Sequence, residues 1–177
     1  MSIDARLRIG ISSCLLGQNV RYDGGHKREP SLAQLFGPDV DWVPVCPEVE
    51  VGMGTPREAL QLTRDGTRVR MLTVETRVDY TDIMNEWAKQ RVAALAALNL
   101  DAYVLKSRSP SCGKDGVAVL DPAAGITEGR GLFAEALIAA LPDLPVEEEA
   151  GLRDPAARER FVSRVLAYHR SGMHQQR

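Results

Sequence analysis

Short apolar runs alternate with longer stretches of helical period along this chain, and three of those runs lead into polar loops that carry a cysteine. Residues 7–12, 42–45 and 102–106 each have the length and apolar density of a strand buried on both faces. Cys14, Cys46 and Cys112, the three cysteines of the sequence, follow them in order. Strand and helix alternation builds a layered parallel sheet, and ligands of such sheets collect beyond the carboxyl ends of the strands. Three thiols delivered there by separate strands are expected to meet, although they are far apart in sequence.

The remaining elements fit the same architecture. Pro30 opens a short helical stretch over 31–36. Residues 59–74 change to two β-like runs around Arg64-Asp65-Gly66, a hairpin signal read as an excursion from the main sheet. The clearest helix spans 81–98, with Asp79 or Thr81 as its cap. Ile83, Trp87, Ala94, Leu95 and Leu98 are assigned to its inner face, and Glu86, Lys89, Gln90 and Arg91 to water. Residues 117–120 read as a strand, 132–141 as a helix, and 144–146 as an edge strand, where Pro145 is tolerated. Asp154-Pro155 begins a closing helix over about 154–172, whose apolar face is Phe161, Val162, Val165, Leu166 and Tyr168; the last polar residues are expected to fray. The expected fold is α/β: a single three-layer domain over residues 1–177, with a mainly parallel sheet and a β-hairpin excursion.

Composition removes several classes. A hydrophobic fraction of 44% over 177 residues supports a packed core and argues against a disordered or fibrous chain. No apolar run approaches the roughly 20 residues needed to span a bilayer, and the first residues lack the apolar core and cleavage site of a signal peptide. The expectation is a cytoplasmic protein with no membrane partner. A net charge of −2 gives no general attraction to nucleic acid, but Arg64, Arg68, Arg70 and Arg77 would offer a local basic patch to a transfer RNA.

Unpaired cysteines in such a protein bind metal, catalyse or fill the core. Core filling gives no reason for thiols to follow strand ends beside polar loops. Thiolates select zinc, copper or iron in a cluster. With His26 as a fourth ligand, the trio would hold zinc in a structural or binding module. A four-iron cluster normally takes four cysteines, so three would leave one iron open. A nucleophilic cysteine needs a base, and His169 and His174 read as solvated groups of the terminal helix and tail.

Glu48 stands two residues from Cys46, across the stiffening Pro47, as either a general base for water beside a metal or a surface carboxylate. Ser109 and Ser111 bracket Pro110 before Cys112, where a hydroxyl reaches substrate or serves the turn. The loop from Tyr22 to Lys27 is shaped by Gly24, Gly25 and an Asp23 that bonds nearby amides. Arg57 is either an anchor for a carbonyl or carboxylate or a solvated or ion-paired arginine. Gly52-Met53-Gly54 lacks the strand-to-helix setting of a dinucleotide site, so no nucleotide cofactor is expected.

Five strings carry a resemblance: Ile-Ser-Ser-Cys-Leu-Leu-Gly, Val-Arg-Tyr-Asp-Gly-Gly-His-Lys, Val-Cys-Pro-Glu-Val, Gly-Met-Gly-Thr-Pro-Arg-Glu and Leu-Lys-Ser-Arg-Ser-Pro-Ser-Cys-Gly. In this order, over about residues 8–141, they resemble the thiouracil desulfidase family. The resemblance implies an oxygen-sensitive 4Fe-4S cluster on Cys14, Cys46 and Cys112, with one iron open to a substrate sulfur. It implies catalytic roles for Glu48 and Ser109. The implied reaction replaces C=S by C=O in thiouracil or a related thionucleobase, with release of sulfide and no net redox change. 4-Thiouridine, as a nucleoside or within transfer RNA, presents the same bond. Desulfidation of cysteine would require an ammonium site, and none is legible.

Overall fold

The computed structural model describes residues 6–172. Four parallel strands form the main sheet in the order β2-β1-β5-β8: β1 is Leu7–Ser12, β2 Val40–Val45, β5 Ala102–Leu105 and β8 Val146–Glu148. Alternation along β5 divides the core. Tyr103 and Leu105 face α3 (Thr81–Ala96) and α4 (Leu132–Ala140), packing with Ala88, Val92, Leu95, Phe133 and Leu137. Ala102 and Val104 face the opposite side with Leu32 of α1 (Pro30–Leu35) and Phe161 and Val165 of α5 (Pro155–Ser171). The sheet therefore lies between two helical layers, as its strand-and-helix alternation predicts.

The hairpin forms as expected: β3 (Leu60–Asp65) and β4 (Arg68–Thr73) pair antiparallel, and Gly66 takes the positive φ of the turn. It is more than an excursion. β6 (Val117–Asp121) joins β3 in parallel and pairs antiparallel with β7 (Gly125–Gly129), giving a second four-stranded sheet in the order β4-β3-β6-β7. Its inner residues Leu62, Met71, Val117 and Val119 pack on Met84 of α3. Strand β7 escaped the sequence reading because its one large apolar residue, Ile126, is 72% exposed.

The inner face of α3 also differs from expectation. Met84, Ala88, Val92 and Leu95 are buried, whereas Ile83 is 57% exposed. Leu95 is buried as expected and Trp87 packs against both core clusters, whereas Ile83 and Ala94 face water, a distinction that periodicity alone does not resolve. Asp79 Oδ1 accepts the Thr81 N–H at 2.9 Å, while the Thr81 hydroxyl accepts from Met71 N at 2.8 Å. The N-cap position is Tyr80, with no side-chain cap bond, rather than Asp79 or Thr81, and the helix start is tied to β4 through Thr81. Asp154 caps α5 by accepting from Ala157 N, and Phe161, Val165 and Tyr168 are buried beneath that helix.

Two expectations about histidine separate here. His169 is not a solvated surface group: its Nδ1 lies 2.8 Å from Asp101 Oδ1, because α5 folds back over the loop entering β5. His174 and the fraying terminus lie outside the described residues. Among the described residues, no helix is long and apolar enough to cross a membrane.

Candidate active site

β2, β1 and β5 are adjacent, and their carboxyl ends open onto a cavity of about 470 Å³. Cys14 enters it from the 3-10 turn Ser13–Leu16 that follows β1. Cys46 occupies the cap position of the short helix α2 (Pro47–Glu50), directly after β2. Cys112 arrives by a loop after β5. All three thiols are free and buried, and they share this cavity with Glu48, Arg57, Lys106 and Ser109. The three cysteines that follow separate strands therefore line one cavity.

The Cys112 loop is held by the amino-terminal end of α4. Gly131 N donates to Gly113 O at 2.8 Å, Leu132 N to Pro110 O at 3.1 Å, and Ala134 N to Ser111 O at 3.0 Å. Helix-start amides otherwise without partners fasten the loop carbonyls. The Ser109 hydroxyl oxygen accepts the N–H groups of Cys112 at 3.0 Å and Ser111 at 3.3 Å. Ser109 thus does the work of a turn residue, and its hydroxyl proton remains to donate. Ser12 accepts from Lys106 N at 2.9 Å, tying the end of β1 to the end of β5.

Burial pushes the Cys14 thiol up to about 11, against the opposing charges of Lys106 and Arg21. It takes Cys46 to about 12, with the Glu48 carboxylate adding to the effect. Cys112 is raised well above its ordinary value by burial and then Glu48, while a hydrogen bond from Ser12 opposes the rise. Charged thiolates in this apolar setting require a cationic partner.

Glu48 is oriented from several sides. Its Oε1 accepts from Ser111 Oγ at 2.7 Å, and its Oε2 lies 3.5 Å from Cys46 Sγ and 3.8 Å from Arg57 Nη2. With 8% of its side chain exposed, Arg57 also donates to Gly54 O at 2.8 Å. Arg57 is thus paired with Glu48 while it lines the cavity.

The loop from Tyr22 to Lys27 forms a wall. Asp23 Oδ1 accepts from Gly25 N as expected, Lys27 N donates to Cys14 O, and Arg57 N donates to Tyr22 O. His26 does not join the thiols: it is exposed, absent from the described cavity lining, and its Nδ1 accepts from Arg28 N. Among the described residues, no three His, Cys, Asp or Glu side chains are gathered to hold a metal ion.

Lys106 and its support were missed in the sequence. Lys106 and Ser107 line the cavity and are held by Glu149, a buried carboxylate that accepts from Lys106 Nζ, Ser107 N and Ser107 Oγ. Burial alone would raise this carboxyl, but the Lys106 and Ser107 bonds overcome it and hold the pKa below the ordinary glutamate value. The expected basic patch does not form as four free cations. Arg64 pairs with Asp121, Arg68 with Asp82, and Arg70 with Asp65 and Asp79.

A parallel α/β sheet with three buried thiols and a braced carboxylate at its carboxyl edge defines a class of buried-thiol-pocket protein. The chain belongs to the 2-thiouracil desulfurase family, whose model matches residues 9–149 and so runs past Leu141 to Glu149. It is 33% identical over 109 residues to the uncharacterized protein YbbK of Bacillus subtilis (strain 168), across 58% of this chain and 71% of that protein. It is also similar to the solved structure of the 4Fe-4S-dependent thiouracil desulfidase TudS. That match has a TM-score of 0.62 and 30% identity, and covers 85% of this chain and 95% of the other.

Proposed function

We propose that this protein is an iron-sulfur-dependent desulfidase that replaces C=S by C=O in thiouracil or a related thionucleobase. The observation that carries the reading is the shared cavity of Cys14, Cys46, Cys112, Glu48 and Ser109. Its volume of about 470 Å³ suits a small ligand. The donor set fits a 4Fe-4S cluster: the three ligands are soft, and their burial disfavours thiolate unless metal replaces the proton. A single zinc would draw its ligands around one ion at Zn–S distances of about 2.3 Å. A cluster presents several metal atoms and accommodates thiols set further apart.

Bound by the three cysteines, the cluster would supply a soft Lewis-acidic iron for the thione sulfur. Glu48 takes a proton from the attacking water. Ser109 donates its hydroxyl proton to a polar atom of the base, because its oxygen already accepts two backbone amides. Water supplies the oxygen, and its two protons leave with the sulfur as hydrogen sulfide. No electrons are transferred. A free base or nucleoside is favoured over transfer RNA, because carboxylates partner Arg64, Arg68 and Arg70.

The test is anaerobic reconstitution followed by metal analysis and a sulfide-release assay on 2-thiouracil and 4-thiouridine in parallel. The expected protein contains about four irons with inorganic sulfide, and Glu48→Ala keeps them while losing turnover. One zinc without labile sulfide would overturn the assignment in favour of a structural module. Full turnover by Glu48→Ala would remove Glu48 from the proton step.

A further inference from the structure

Ser111 is fully buried, yet its hydroxyl ends on a cavity carboxylate 63 residues away in sequence, donating to Glu48 Oε1 at 2.7 Å. The surrounding backbone leaves it little freedom. Its N–H is held by Ser109 Oγ and its carbonyl by Ala134 N of α4. Gly131 presses on the same peptide: a Cβ at that position would lie 2.5 Å from the carbonyl carbon and oxygen of Ser111. Glycine is required for so close an approach, because the opposing atoms are backbone and cannot swing away.

The other side of the carboxylate has different partners. Oε2 faces Cys46 Sγ and Arg57 Nη2 at 3.5 and 3.8 Å. A metal-bound Cys46 has no S–H to give. Ser111 is then the hydroxyl donor that fixes Oε1, while Oε2 keeps only the longer approach of Arg57.

We propose that Ser111 is a positioning residue: clamped by α4 through Gly131, it holds the Glu48 carboxylate in the orientation from which Oε2 accepts the water proton. This rests on the reading of Glu48 as the base. It assigns the second serine of the Ser-Pro-Ser-Cys segment a task different from that of Ser109, whose oxygen braces the loop by accepting from Ser111 N and Cys112 N.

The test uses the full-length reconstituted enzyme. Ser111→Ala is expected to lower kcat about tenfold to a hundredfold, the range seen when a supporting partner of a reacting group is removed. KM should stay within about twofold, and iron and sulfide content should be unchanged. In a Glu48→Asp background, where the shorter side chain no longer reaches the hydroxyl, Ser111→Ala should cost less than about twofold. Gly131→Ala keeps both functional groups but displaces the Ser111 peptide, and should show the same dependence on background. That arm also decides the matter if Ser111→Ala fails to hold its cluster.

A readout independent of turnover is the crystal structure of reconstituted Ser111→Ala, in which the Glu48 carboxylate should occupy more than one orientation. Equal losses in both backgrounds, or an undisturbed Glu48, overturn the positioning role. An inactive Glu48→Ala beside a fully active Ser111→Ala overturns this inference alone. An active Glu48→Ala removes the base itself.

Discussion

Replacing Glu149 by glutamine keeps the shape of the side chain and removes its charge, where three donors converge. Glu149 is 4% exposed and accepts from Ser107 N at 2.7 Å, Ser107 Oγ at 2.8 Å and the Lys106 ammonium. Glutamine offers one carbonyl oxygen to those donors and turns its own NH2 toward the rest. The Lys106 side chain, 18% exposed, would keep only the neutral Ser107 acceptors at 3.0 Å. Removing one partner of a buried pair costs about 3–5 kcal/mol; the partial exposure of Lys106 argues for the lower end, about 3 kcal/mol. For a chain of this size that lowers the melting midpoint by roughly 6–12 °C at neutral pH.

The sign of the pH dependence follows from the depressed carboxyl pKa of Glu149. Its contribution is complete above the ordinary glutamate value of 4.5 and disappears as pH falls through the lower value of the folded protein. Thermal unfolding of wild type and Glu149→Gln should therefore differ most at neutral pH and converge in acid, once pH has fallen below the lowered value of the folded carboxyl. A neutral-pH midpoint within about 2 °C of wild type, or a difference that persists in acid, would refute the argument.

Gly10→Ala should be among the most damaging single-carbon additions. The new Cβ would lie 2.2 Å from Cδ2 of Tyr103, whose ring is fully buried across the paired strand, so a loss of about 3 kcal/mol is expected in urea unfolding. Asp79→Ala should remove roughly 1 kcal/mol at neutral pH, a figure reduced for solvent screening. Despite the cost of its partial burial, the Thr81 and Arg70 bonds hold Asp79 at about 2. The deficit should persist above the ordinary value of 3.8 and fade as pH falls through about 2, which acid titration of both proteins would reveal.

Local chemistry made much of the molecule legible. Strands β1, β2 and β5, the β3–β4 hairpin and the Asp154-capped helix are written in apolar runs and turn residues a few positions apart. The cysteines could be placed because each follows a strand, and parallel strands bring their carboxyl ends together. The partners of the arginine cluster were not legible because charge in a sequence carries no partner. Asp82 and Asp121, which pair with Arg68 and Arg64, come from α3 and β6. Strand β7 was illegible because exposed edges need no apolar alternation.

What the sequence determined by itself was the alternation of elements, hence a layered sheet and the thiols and carboxylate at its edge. Only the tertiary structure decided which polar groups brace that edge: Ser111 against Glu48, Glu149 beneath Lys106, and Gly131 against the Cys112 loop. These contacts join residues dozens of positions apart. Backbone propensity acts over a few neighbours, whereas hydrogen bonds and close approaches depend on distances that exist only after the layers have packed.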